Sequence, residues 1–536
     1  MNAFFPKPRL SLAFLFCVLF IAACGGGSGG TSTPLQPPVS QDIIWQPGIY
    51  PPSANFAAQC VTPRSGVDPF SGQPFPDQAG SALAEKMWLR SWTNETYLWY
   101  DEVPDNNPND FSISAYFNQL KTNERTASGR LKDNFHFSEP TSEYRERTQA
   151  GTSSEYGIRW EFIANTAPRE LIVRYTEPNS PAAQADIPRG ASLKRIDGID
   201  FVNTTSSSEV DAINAALFPD EAGESHEFEF QLLDGSTLNA NLTSAVIDLS
   251  PVQNVDIIDT EFSKIGYIQF NSFITPAQDA LIDAFQAFVD NGVSELVLDL
   301  RYNGGGSLAL SSQLAYMIAG PNQTNNAIFE QLVYNDKTPP EDPFPFYSQE
   351  IDYVNGRFLS NTLPSPEFTR VFILSTGSTC SASESLINGL RGIDVEVILI
   401  GDTTCGKPFG FLPTDNCGTT YFTIQFQGIN EKGFGNFSDG FIPSLNPQFD
   451  DEVEGCFVDD DFSNALGSTD EALLSAALFY AEFDGCPANT SPVLSIDSAA
   501  QEGKGPAIMA PNPYIEAIIN DDRRFISKSS TSNGEN

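Results

Sequence analysis

Hydrophobic and polar positions alternate with different periods along this chain, and the changes of period divide it. From Ser81, "SALAEKMWLRSWTNETYLWYDEV" places Leu83, Met87, Trp88, Trp92 and Leu98 at helical spacing, on one broad apolar face. "FSISAYFNQLK" (111–121) predicts a second helix, so 46–150 reads as a mainly helical N-terminal domain. The period then shifts to two. "ELIVRY" alternates as a strand does, and "NSPAAQA" predicts a short helix capped by Ser180 with Pro181 at its first position. "RGASLKRIDGIDF" and "HEFEFQLLDGSTLNANL" each read as two strands joined at Asp-Gly, with the amphipathic helix "SSEVDAINAAL" between them.

From about 250, strands alternate with helices. "GYIQFNSF" predicts a strand. "TPAQDALIDAFQAFVDNG" predicts a helix capped by Thr275, with Pro276 at its first position and Gly292 just past its end. "ELVLDL", "RVFILS" and "VEVILIG" are short apolar runs of the kind found in buried parallel strands, and "SLALSSQLAYMIAG" and "SASESLINGLRG" are the crossover helices. "TTYFTIQFQG" alternates as a hairpin strand, and the last helix falls at about 469–483. The segment 487–536 reads as a polar, loose tail.

Composition narrows the function classes. The chain has 536 residues and a formal net charge of −40, from 69 acidic against 29 basic residues. Such a surface repels phosphate backbones, which excludes nucleic acid as a partner. Near the N-terminus, Lys7 and Arg9 precede "LSLAFLFCVLFIAA", which is short for a permanent span and fits a signal peptide. The small residues before Cys24 resemble a bacterial lipobox. That resemblance implies a signal peptide at 1–23, lipid on Cys24, a flexible linker at 24–45 and anchoring to the outer membrane, on its periplasmic face or the cell surface. Membrane contact is then through the lipid alone. Six cysteines remain for an oxidising compartment. Closeness in sequence pairs Cys405 with Cys417 and Cys456 with Cys486, which leaves Cys60 with Cys380.

The candidate chemistry starts from a shortage. Only two histidines are present, His136 and His226, and neither lies in the α/β segment. A Ser-His-Asp triad and a catalytic metal are therefore disfavoured, and no cofactor is implied. A lysine can replace histidine as the base if burial lowers its pKa. Lys407, in "TTCGKPFGF" after the strand "VEVILIG", is the candidate base. In "STGSTCSASESLINGL", Ser381 stands just ahead of a helix, where backbone N–H groups favour a developing oxyanion. Ser375, Ser378 and Ser383 read as capping or packing hydroxyls.

"ELVLDLRYNGGG", "STCSASESLINGL" and "GDTTCGKPFGF", taken together, resemble the C-terminal processing (tail-specific) serine peptidases, relatives of the tricorn protease. The resemblance runs over about residues 80–480. It implies a multidomain α+β fold: a small helical domain, a β-rich PDZ-like domain at 152–246, and a catalytic domain at 250–486 with an α/β core of the crotonase-like or ClpP-like kind. It also implies a serine endopeptidase acting on polypeptides, with Ser381 as nucleophile and Lys407 as general base. Ala382 and either Gly305 or Gly306 would supply the oxyanion N–H groups. Phe411 stands where many members carry a glutamine, and Glu384 and Gln425 are the other candidates for that third role. "SPAAQADIPRGASLKRIDG" resembles a PDZ run, which implies a groove for a peptide C-terminus at Tyr156, Gly157 and Ile158. A catalytically degenerate, lipid-anchored peptide-binding protein is the alternative. The sequence leaves substrate identity and oligomeric state open.

Overall fold

Why the apolar runs after residue 250 lack alternation becomes clear from their place in the fold. In the computed structural model, Glu295–Asp299, Arg370–Ser375 and Glu396–Gly401 are central strands of a seven-stranded sheet. The model describes residues 43–126, 128–146, 152–219, 221–261, 263–488 and 504–509, together with the backbone of Ile519–Asn520. Strand order across this sheet is Val252–Asp259, Lys264–Phe270, Glu295–Asp299, Arg370–Ser375, Glu396–Gly401, Glu452–Phe457, Ile442–Ser444. The first pair is antiparallel and all the others are parallel.

Both faces of the sheet are covered, so the interior positions of the central strands are apolar, and the charged residues Glu295, Arg370 and Glu396 stand at the strand ends. Leu296, Leu298, Val371, Ile373, Val397 and Leu399 face a core shared with the helices Ala277–Asn291, Leu308–Thr324 and Ala382–Gly392. The alternate residues, Val297, Phe372, Leu374, Ile398 and Ile400, pack against the helix Ala472–Phe483. The period of two is present, but it sorts residues between two cores rather than between core and water.

The PDZ-like segment has its own core. An antiparallel sheet runs in the order Thr237–Thr243, Ser225–Gln231, Ser192–Ile196, Glu170–Thr176, Ile158–Ala164. Helix Ser207–Leu217 adds Val210, Ile213 and Leu217 to that core. Ser180 accepts from the Ala183 N–H at 3.1 Å, as the cap reading required. Asp197 and Gly198 both have positive φ, which a two-residue hairpin turn of this kind needs.

The N-terminal helix is Ala82–Thr96, capped by Ser81, with Met87, Trp88 and Trp92 buried. The second helix is shorter than its pattern, Ile113–Phe117. This segment is tied to the one that follows residue 250. Strand Phe137–Pro140 pairs antiparallel with Thr419–Phe422, and Phe135 and Phe137 share a core with Phe409, Phe411 and Phe422. The fold is α+β, several layers built around an α/β core.

Some expectations need correction. Helix Ala277–Asn291 starts after Pro276 and has no side-chain cap, so Thr275 does not cap it; Gly292 does close it in the left-handed conformation. "TTYFTIQFQG" is two strands, because the chain changes partner at 423–425: Thr419–Phe422 pairs with Phe137–Pro140, and Phe426–Ile429 with Gln331–Tyr334. The last helix begins at Ala472, where the Glu471 carboxylate accepts from the Leu474 N–H at 3.0 Å. Cys456 does join Cys486, but the other disulfides are Cys60–Cys417 and Cys380–Cys405. Closeness in sequence misled because each of these bridges links different elements; Cys60 reaches a partner 357 residues away. Nor is the tail loose throughout, since Ile508 is buried in the PDZ-like core. The signal peptide, Cys24 and most of the linker lie outside the described residues. Among the described residues, no helix is long and apolar enough to cross a membrane.

Candidate active site

Three loops leave the carboxyl ends of three adjacent parallel strands and meet there, which is where α/β sheets build sites. The first is the turn after Glu295–Asp299, carrying Asn303, Gly305 and Gly306. The second follows Arg370–Ser375 and carries Ser381. The third follows Glu396–Gly401 and carries Lys407.

The small hydroxyl residues around Ser381 fasten these loops to one another. Ser375 Oγ donates to the Asp402 carbonyl at 2.8 Å, and Thr379 Oγ1 to the Leu300 carbonyl at 2.8 Å. Ser383 Oγ donates to the Asn303 carbonyl at 3.0 Å. Cys380 N–H donates to the same carbonyl at 3.0 Å, and Cys405 N–H to the Thr379 carbonyl at 3.1 Å. The Cys380–Cys405 disulfide then links the residue before Ser381 to the residue two before Lys407. On the first loop, the Arg301 guanidinium binds Asp299 and Glu471 in the interior and so fixes the turn that leads to the glycines.

Ser381 differs from its neighbours. Its φ of 64° and ψ of −114° are unusual for a residue with a side chain, and its backbone sits directly before helix Ala382–Gly392. Strain of this kind persists only where the surroundings impose it, and it recurs at nucleophiles placed between a strand and a helix. Its Oγ is buried and makes no hydrogen bond among the described residues. The N–H of Ala382, at the first helical position, has no acceptor within the helix. Gly305 lies against both residues: a Cβ there would fall 2.7 Å from Ser381 Cβ and 2.9 Å from Ala382 N. The Gly305 N–H donates to Asn303 Oδ1 at 2.9 Å. The Gly305 carbonyl and the Ser307 N–H both bond Phe273, so the Gly306 N–H and carbonyl point the other way, to the side on which Ile519–Asn520 pairs.

Lys407 exposes no surface. Its Nζ lies 3.9 Å from the centre of the Phe411 ring and 5.0 Å from that of Phe135. Burial holds its pKa well below the ordinary lysine range; Asp133 and Glu384 pull the other way but more weakly. Asp133 accepts from Tyr97 OH at 2.7 Å and from the Phe135 N–H at 2.9 Å.

Glu384 joins the two halves of the site. Its Oε2 accepts from the Ser381 N–H at 2.9 Å and from the Lys407 N–H at 2.8 Å. Its Oε1 accepts from the Gly406 N–H at 2.8 Å and from Thr404 Oγ1 at 2.6 Å. Burial raises its pKa, and these four donors lower it in part.

The histidines are engaged elsewhere. His136 is buried, stacked on Phe117 at 3.9 Å and hydrogen-bonded to the Phe117 carbonyl and Thr423; its pKa is pushed down to about 4, chiefly by burial. His226 pairs with Asp197 at 2.6 Å. Gln425 Nε2 is turned to the Leu412 carbonyl. Tyr156 and Ile158 belong to the PDZ-like core, and Gly157 between them packs against Ser180. That unit nevertheless touches the site: Arg174 donates to Ser378 Oγ at 3.0 Å, and Arg189 to Tyr302 OH at 2.7 Å.

Residues 264–415, which carry all three loops, match peptidase family S41. Similar proteins include the carboxyl-terminal-processing protease of Picosynechococcus sp., 25% identical over 266 residues, which are 49% of this chain and 57% of the relative. Carboxyl-terminal-processing peptidase 2, chloroplastic, of Arabidopsis thaliana is 30% identical over 177 residues, 32% of this chain and 33% of the relative. The chain thus spans between a third and somewhat over half of these relatives' length. Among solved structures, a putative S41 protease from Bacteroides fragilis shares the fold, with a TM-score of 0.57 and 22% identity over 77% of this chain and all of that one.

Sequence reasoning missed Asp133, which approaches from the N-terminal segment, and the anchoring role of Glu384. The spacing Ser-x-x-Glu at a helix start was the available signal for the second.

Proposed function

We propose that this protein is a serine endopeptidase in which Ser381 is the nucleophile and Lys407 the general base. The observation that carries this reading is the common attachment of both residues to Glu384 Oε2, with the lysine amine enclosed by Phe411 and Phe135. Burial that lowers the pKa of this amine favours its neutral form, the form that can accept a proton.

In the acylation step, Lys407 takes the hydroxyl proton as Ser381 Oγ bonds to the scissile carbonyl carbon. The Ala382 N–H and the Gly306 N–H bind the oxyanion. The C–N bond then breaks, and Lys407 protonates the leaving amine. Water, losing a proton to Lys407, hydrolyses the ester and returns Ser381. Phe411 takes the place of a polar orienting residue: its ring keeps the amine dry and fixes its position by packing. The substrates are polypeptides of the cell envelope, reached through export and a lipid anchor on Cys24. The PDZ-like groove at Tyr156–Ile158 receives their C-termini by strand addition.

Purified Ser381→Ala and Lys407→Ala variants test this. Each should keep the wild-type circular dichroism spectrum and fail to cleave a C-terminally tagged peptide that the wild type digests. Turnover by either folded variant refutes the assignment. Binding of the tagged peptide by a wild type that never cleaves it would favour the anchored binding protein instead.

A further inference from the structure

The C-terminal segment returns to the body of the protein at two places. Lys504 bridges Ala167 in antiparallel fashion, with its N–H donating to the Ala167 carbonyl at 2.8 Å. Ile508 N–H donates to the Asn165 carbonyl at 2.9 Å, and Met509 N–H to Asn214 Oδ1 at 2.7 Å. The segment therefore lies between the end of strand Ile158–Ala164 and helix Ser207–Leu217, running antiparallel to the strand. Ile508 is 3% exposed and shares a core with Ile158, Val210 and Ile213. The buried Arg169 guanidinium donates to the Pro506 carbonyl at 2.6 Å. Gly505 has φ 86°, and a Cβ there would meet Thr205 at 2.9 Å, so the docked path requires glycine.

The second place is the catalytic cleft. Ile519–Asn520 pairs as a parallel strand with Gly306–Ser307, Ile519 opposite Gly306. This is the free side of that strand, since Phe273 occupies the other. Gly306 follows the residue packed against Ser381. Ser381 itself exposes no surface in this chain.

We propose that the protein's own C-terminal segment is its first substrate: the PDZ-like unit holds 504–509 against Asn165, Ala167 and Asn214, the backbone of Gly306–Ser307 aligns Ile519–Asn520, and Ser381 cuts close to Ile519. This rests on the Ser381/Lys407 reading. Ser381 Oγ forms an ester with the carbonyl carbon, the C–N bond breaks, and the downstream segment leaves with the proton carried by Lys407. Water then releases a new C-terminus near residue 519 and opens the cleft.

Intact-mass measurement of the purified full-length chain and of Ser381→Ala tests it, with tagged-peptide cleavage assayed in parallel. The expected result is a wild type ending within a few residues of Ile519 and a Ser381→Ala chain extending to Asn536. Asn520→Pro, which removes a strand N–H, should slow trimming at least tenfold. A wild type that cleaves the peptide while keeping Asn536 overturns self-processing and spares the peptidase reading. A wild type that keeps Asn536 and cleaves nothing overturns both. Trimming of Ser381→Ala at the same place assigns the cut to another protease and also overturns the proposal.

Discussion

The backbone N–H groups of Ser381 and Lys407, 26 positions apart in sequence, donate to the same carboxylate oxygen of Glu384. One buried side chain thus ties the loop carrying Ser381 to the loop carrying Lys407. Replacing Glu384 with Ala leaves buried donors without an acceptor, and each such group costs about 1–3 kcal/mol. Glu384→Ala should lower unfolding free energy by at least about 3 kcal/mol and reduce kcat/KM more than a hundredfold. Glu384→Gln, which keeps one oxygen acceptor, should recover part of both. Denaturant melts and peptide kinetics on the two variants check this.

Gly305 is required by contact rather than by its N–H, which Asn303 holds. Its φ of 113° also disfavours any side chain. Gly305→Ala should push Ser381 or Ala382 from position. The expected effect is a loss of about 100-fold or more in kcat with KM little changed, comparable to removing one oxyanion donor. An Ala variant with wild-type kcat would show that the close packing has no catalytic role.

Lys407 links function to stability. In the folded chain it loses its proton at lower pH than in the unfolded chain, where an ordinary lysine titrates near pH 10.4. Between those two values the unfolded chain binds more protons, so this group makes stability rise with pH across the window. At and below the folded value the penalty is at its full size. Lys407→Met, which has no such penalty, should be more stable than wild type at neutral pH, and its advantage should shrink as pH approaches 10. Thermal melts of both proteins from pH 6 to pH 10 check the sign. An advantage that grows with pH would contradict it.

The Cys380–Cys405 bridge closes a loop of 25 residues that includes Ser381. Closing a loop of this size is worth about 3 kcal/mol in the chain-entropy account. The double variant Cys380→Ser/Cys405→Ser should melt several degrees lower and lose activity at temperatures where the wild type keeps it. The same substitutions at Cys456 and Cys486, on the far side of the sheet, should lower the melting point without changing kcat/KM below it.

Much of this architecture was legible from local pattern. The Asp-Gly turns, the Ser180 cap and the apolar strand runs are set by neighbours within a few residues, and the strands and turns stand where the pattern put them. The motif around Ser381 and the glycine turn lie on loops that the structure packs against each other. What escaped depends on partners distant in sequence. Asp133 reaches Lys407 through the pairing of Phe137–Pro140 with Thr419–Phe422, and no periodicity near either residue announces it. Two of the three disulfides were mispaired for the same reason, because spacing along the chain does not report which loops the sheet brings together. Phe411 read as a missing polar residue; its ring lies 3.9 Å from the amine.

The central claim is that Lys407 acts as a neutral base toward Ser381, and the pH dependence of kcat/KM for a tagged peptide tests it most directly. The wild type should show a rising limb with a midpoint well below 10.4, and Phe411→Ala, which lets water reach the amine, should move that midpoint upward. A profile without a rising limb, or a folded Lys407→Ala chain that cleaves the peptide at the wild-type rate, would contradict the account.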